Sequence, residues 1–179
     1  MSAVARRYAR ALFALAKESA TLEPAARELE RTAAVAKDPT IGPVLSSPLL
    51  APARRRDLVQ RIAGELRLSD LLTRFVTLLA DHQRLAELPG IHDYFQQLLD
   101  VELGRARITI RSARPLDRQQ EADLVAAFSQ LTSKQIVPNL VVDPELLGGV
   151  VVEAAGKVYD GSVRTQFHRL ARQLAGAAL

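Results

Sequence analysis

The sequence predicts an α plus α+β protein: an N-terminal six-helix bundle over residues 1–104, then a small C-terminal α+β domain over 105–179. Three observations predict it. The apolar mass is Ala, Leu and Val, aromatic residues make up only 4%, and Ala and Leu are strong helix formers. Apolar residues recur at three- and four-residue spacing as far as Leu103. From Arg105 the pattern changes to alternating polarity with β-branched residues. The hydrophobic fraction of 48% is ordinary for a chain that builds a core.

In the first part, Val4, Tyr8, Ala11, Leu12 and Leu15 share one helical side, opposite Arg6, Arg10 and Lys17. Pro24 suits a first helical turn and opens Ala25–Lys37, with Leu29 and Val35 facing inward. Asp38-Pro39, Gly42-Pro43, Ser47-Pro48 and Ala51-Pro52 punctuate connectors. A helix over about Ala53–Leu66 places Leu58, Ile62 and Leu66 four residues apart. Ser69 is a natural N-cap for Asp70–Leu85, and Asp70 suits the positive end of that helix dipole. Pro89-Gly90 breaks the chain before a last helix, about Ile91–Leu103.

In the second part, Arg105–Ser112 reads as a strand, and Leu116-Asp117 opens a helix to about Leu131. Ile136–Val142 reads as a strand around Pro138, whose missing N–H argues for an edge or a bulge. Val150–Ala154 is a strand, Gly156-Lys157 a turn into Val158-Tyr159, and Asp160-Gly161 another turn. Ser162 can cap a final helix reaching about Ala175. The paired glycines Gly148-Gly149 permit positive φ or close backbone approach at the start of a strand. Gly148, Gly149, Gly156 and Gly161 are therefore structural turn positions.

Enzyme chemistry finds no foothold in these residues. There is no Cys, which removes thiolate nucleophiles, disulfides and Cys-ligated zinc. A P-loop needs Gly-x4-Gly-Lys-Ser/Thr, but counting back from Gly156-Lys157 gives Val151, and Val158 follows the lysine. His82, His92 and His168 lack ligand spacing, and no serine occupies a Gly-x-Ser-x-Gly elbow. Carboxylate pairs such as Glu28/Glu30 and Glu121/Asp123 fall on different helix faces. No catalytic residue, metal or cofactor is expected.

The net charge of +4 raises a basic nucleic-acid-binding module as the alternative. Residues 1–104 carry 14 basic and 13 acidic side chains, and residues 105–179 carry 10 and 7, interspersed rather than clustered. Arg54-Arg55-Arg56 is the strongest basic run and reads as a solvated face rather than a phosphate contact. The apolar run Ala11–Ala16 is too short for a signal peptide, with Lys17 and Glu18 directly after it. Nothing approaches the ~18 uninterrupted apolar residues of a membrane span.

What remains is surplus apolar surface. A bundle helix needs a stripe of a little over ~100°, whereas the apolar residues of Asp70–Leu85 sweep roughly 200°, with His82 inside the arc. The first helix behaves similarly, with Phe13 at the edge of its basic side. Two such helices side by side leave a groove for a partner's amphipathic helix; a central helix buried on several sides explains the width equally well.

Three co-linear segments carry a resemblance to a known family. AVARRYARALFALA resembles the start of the bacterial ATP synthase δ subunit and mitochondrial oligomycin-sensitivity-conferring protein family. LTRFVTLLADHQRLAELPGIHDYF resembles its fifth helix and following turn, and VVDPELLGGVVVEAAGKVYDGSV its C-terminal signature. The resemblance implies a non-catalytic stator subunit joining the catalytic head to the peripheral stalk, so that rotary torque is coupled to ATP synthesis or hydrolysis. It implies that N-terminal helices of α subunits bind between the first and fifth helices. Carried onto this sequence, those contacts are Tyr8, Leu12, Phe13, Leu71, Phe75, Leu78, Leu79 and His82. It also implies that the C-terminal domain grips the b subunits, through Phe167, Leu170 and Leu174 of the last helix. The implied location is the cytoplasmic face of the bacterial inner membrane, held there through the complex, with no nucleic acid bound.

Overall fold

The computed structural model describes residues 2–47, 50–154 and 156–167. The chain divides into two compact units, Met1–Leu99 and Asp100–Leu179. The helical part contains α1 (Ala3–Glu18), α2 (Leu22–Lys37), α3 (Ile41–Ser46), α4 (Pro52–Glu65), α5 (Asp70–Asp81), a 3-10 turn (Leu85–Glu87) and α6 (Leu88–Glu102). The last turn of α6 is counted with the second unit. Leu12, Leu29, Leu72, Leu79, Leu85, Leu88, Ile91 and Phe95 fill the centre of the bundle. Small residues (Ala5, Ala9, Ala16, Ala25, Ala26) occupy other core positions, which lets helix backbones come close. A Cβ placed on Gly90 would lie 3.3 Å from the Cβ of Ala5, so α1 and α6 approach closely there.

Several helix limits differ from the sequence expectation, each for a local reason. The fifth helix ends at Asp81 rather than Leu85, because Gln83 adopts a left-handed conformation (φ +56°). The amides of Gln83 and Arg84 then bond back to the carbonyls of Ala80 and Leu79, closing the helix. Pro89-Gly90 does not break the chain; it lies in the first turn of α6, where a proline N–H is not needed. The segment around Gly42-Pro43, read as a connector, forms the short α3. Asp38 accepts from the amides of Thr40 (2.7 Å) and Ile41 (3.0 Å) at its start, and these bonds hold the Asp38 carboxyl below the usual range.

In α4 the buried stripe is Arg55, Val59 and Ala63, while Leu58, Ile62 and Leu66 flank it. Arg55 is therefore not on a solvated face: it is 3% exposed, and its Nη2 donates to the carbonyls of Ser47 and Leu50 at 3.0 Å each. Arg56 pairs with Asp81 across to α5, which raises the arginine and lowers the aspartate. Arg54 is exposed.

The second unit holds β1 (Arg105–Ser112), α7 (Arg118–Thr132), β2 (Gln135–Val142), β3 (Val150–Ala154) and β4 (Lys157–Asp160), with residues 163–167 helical. The strand order is β2-β1-β3-β4. β1 and β2 are parallel, joined through α7, and the other two pairs are antiparallel. Asp117 caps α7 in a reciprocal box with Gln120. Ile108, Ile110, Phe128, Ile136, Val152 and Ala154 form this unit's own core. Pro138 sits on the edge strand β2, opposite Ile108.

Candidate functional site

The first and fifth helices each carry two kinds of apolar surface. On α1, Ala5, Ala9, Leu12 and Ala16 are buried in the bundle. Val4, Tyr8, Ala11 and Leu15 form a second strip within about 60° of arc, half-buried to exposed. On α5, Leu72, Phe75, Val76, Leu79 and Ala80 are buried. Leu71, Leu78 and His82 continue the apolar surface outward along one side. The two helices touch where the Tyr8 and Phe75 rings stand edge to face, with centroids 6.4 Å apart. Leu15 at 50% and Leu78 at 46% exposure are the large apolar side chains that rise from this surface. The guanidinium of Arg7 lies over the Tyr8 ring, 5.4 Å from its centroid.

The eight residues singled out on these helices thus separate into roles. Tyr8, Leu71, Leu78 and His82 reach the surface, and His82 is the exposed C-cap of α5. Leu12 and Leu79 are wholly buried and Phe75 is 7% exposed, so these three lie beneath that surface. Phe13 turns to the other edge of α1 and packs edge to face on Phe95, centroids 5.4 Å apart. The broad arc on α5 therefore combines a core stripe with a surface strip. Val4, Ala11 and Leu15, which share the side of Tyr8 at i, i+7, i+11 spacing, are not among the contacts the resemblance implies.

Serines anchor both helices. Ser2 Oγ accepts from the Ala5 amide at 3.0 Å, and Ser69 Oγ accepts from the Leu72 amide at 3.4 Å. Each hydroxyl also donates to a distant carboxylate: Ser2 to Glu87 at 2.5 Å, and Ser69 to Glu28 at 2.7 Å.

In the second unit, Phe167 is 73% exposed, and Val163 one turn before it is exposed as well. Leu170 and Leu174 lie outside the described residues. The glycine run is structural in its geometry. Gly149 has φ +80°, and a Cβ there would lie 2.4 Å from the carbonyl oxygen of Gly161. A Cβ on Gly148 would come within 3.1 Å of Val163. The Gly148 carbonyl accepts from the Val163 amide at 3.0 Å, so this loop is stitched to the start of the 163–167 helix. Asp160 accepts from the Ser162 amide (2.9 Å) and the Thr165 hydroxyl (2.8 Å). Its carboxyl is held below the usual range, most by Ser162 and then by Thr165. Gly156, at φ +76°, makes the β3–β4 turn. Among the described residues no group of His, Asp and Glu side chains is arranged to hold a metal ion.

Comparison with known proteins agrees with the resemblance read from the three segments. A family model described as ATP synthase delta (OSCP) subunit matches residues 4–174. The chain is 42% identical over 177 residues to the ATP synthase subunit delta of Anaeromyxobacter dehalogenans (strain 2CP-C), covering 97% of this chain and 98% of that protein. It is 35% identical over 179 residues to the ATP synthase subunit delta of Syntrophus aciditrophicus (strain SB), covering 99% and 98%. A chain in the cryo-EM structure of the Toxoplasma gondii mitochondrial ATP synthase hexamer superposes with a TM-score of 0.70 at 26% identity, covering 97% of this chain and 98% of that one.

Proposed function

The chain belongs to the ATP synthase delta (OSCP) subunit family, and from that premise we propose that the strip between α1 and α5 seats an N-terminal helix of an ATP synthase α subunit. The subunit is a non-catalytic component of the peripheral stalk of F-type ATP synthase. A stator part works by holding on, so its contacts must resist torque without turning over any substrate.

The observation that carries the proposal is the Tyr8–Phe75 contact between α1 and α5, with an exposed leucine on each helix. These leucines are Leu15 and Leu78. An amphipathic helix lying there would cover both, anchoring through residues about one turn apart. A peptide of the α N-terminal helix titrated into the intact chain tests this. Leu15→Asp and Leu78→Asp are each expected to weaken binding by tenfold or more, roughly the worth of one leucine's burial plus an unpaired buried charge. Unchanged affinity in both variants, with native circular dichroism, sinks the proposal. Phe75→Asp is a poor probe because it places a charge in the core.

We assign the b subunits to the C-terminal segment, through Phe167, Leu170 and Leu174. No helix among the described residues is long and apolar enough to cross a membrane. In this reading the chain is held at the cytoplasmic face of the bacterial inner membrane by its partners in the complex.

A further inference from the structure

We propose that Glu28 and Glu87 are positioning residues that set the spacing of α1 and α5. The consequence for affinity rests on the reading of the strip as the seat of a partner helix. Both helices begin with a serine cap, and a serine alone satisfies an orphan amide of the first turn. Each of these serines does more. Ser69 donates through both its amide (2.8 Å) and its hydroxyl (2.7 Å) to one carboxylate oxygen of Glu28. Glu28 lies on α2, 41 residues away. Ser2 donates to Glu87, 85 residues away in the 3-10 turn that precedes α6.

Capping within one helix needs no such reach. A carboxylate from another element brings negative charge to the positive end of the helix dipole. It also makes charge-assisted bonds, which hold geometry more firmly than neutral ones. The result is a clamp at the N-terminus of both helices that frame the strip: α5 fixed against α2, and α1 fixed against the segment leading into α6. Neither glutamate belongs to α1 or α5. Each acts through the serine it holds, and so through the line on which the helix leaves its cap.

The chain has no cysteine, so a pair of engineered ones can carry spin labels in the full-length protein. Ala14→Cys and Arg74→Cys sit at exposed positions of α1 and α5. Among the described residues Arg74 pairs with Asp70 on its own helix, at 2.8 Å, a surface contact of little worth. In this background Glu28→Ala and Glu87→Ala are each expected to shift the inter-label distance by about 1–2 Å or to broaden its distribution. Each is also expected to weaken binding of the α N-terminal peptide about fivefold, as loss of a cap-strength interaction predicts. Glu28→Gln keeps an acceptor oxygen and should recover most of both effects. An unchanged distance distribution in variants that merely melt earlier overturns the proposal, because that is the signature of helix stabilisation without positioning. Failure of the peptide to bind the unsubstituted chain overturns the reading of the strip, and the distances then decide the spacing claim alone.

Discussion

Arg55 shows how little a side chain's formula says about its place. Three consecutive arginines start α4, and they go three ways: Arg54 to solvent, Arg55 into the bundle, Arg56 to Asp81. The helical period allows only one of three neighbours to face inward, and here that position falls on a charge. Its guanidinium is kept there by the Ser47 and Leu50 carbonyls, while its Nε has no hydrogen-bond partner among the described residues. Arg55→Ala removes a buried stem and takes a charged donor away from two carbonyls, so it is expected to cost about 2–3 kcal/mol in denaturant unfolding. Arg54→Ala, one residue away, is expected to stay within about 0.5 kcal/mol. Equal effects of the two substitutions would mean that the burial of Arg55 carries no energetic weight. Sequence patterning could not find this residue, since charge runs are mostly solvated and nothing in the run marks its middle member.

At the scale of elements, periodicity located the helices and strands well, and chain geometry decided where they stop. β1 and β3 have the limits that alternation gave, and α7 begins one residue after its capping aspartate. Helix ends were harder because α1, α4 and α5 close on left-handed residues that are not glycine: Ala20, Arg67 and Gln83. Their amides and those that follow bond back into the last turn, so the stop is written in hydrogen bonds rather than in a residue type. The surface strip was half legible for a related reason. Width of apolar arc is visible in a sequence, but which part of that arc is core depends on neighbouring helices. The contacts the resemblance implies therefore mix buried Leu12 and Leu79 with exposed Leu78, and do not include exposed Leu15. The glycine loop is the clearest case of a readable element. Gly149 combines positive φ with a backbone approach that no side chain fits, beside the first residues of the 163–167 helix. Gly149→Ala is expected to destabilise the second unit by about 2 kcal/mol or more, read as a lowered denaturation midpoint. A neutral outcome would show that the β2–β3 connection can re-route without disturbing β3.

For the whole molecule, the family role asks for firm attachment at two places, and the chain has a separate core in each of its two units. The core of Met1–Leu99 contains Leu12, Leu29, Leu72, Leu79, Ile91 and Phe95, all from helices of that unit. Both clamps on the strip, Glu28 to Ser69 and Glu87 to Ser2, also lie within it. Everything that shapes the proposed α-binding surface is thus encoded before residue 105. A chain ending at Gly104 keeps all six helices and is large enough to fold as a small helical domain. It is expected to give a cooperative helical melt and to bind the α N-terminal peptide within about twofold of the full chain, a difference below ~0.5 kcal/mol. Residues 105–179 produced alone should not bind that peptide. If the truncated chain folds but binds tenfold more weakly, the strip on α1 and α5 is not the whole seat of the α helix. Residues of the second unit would then have to be part of it.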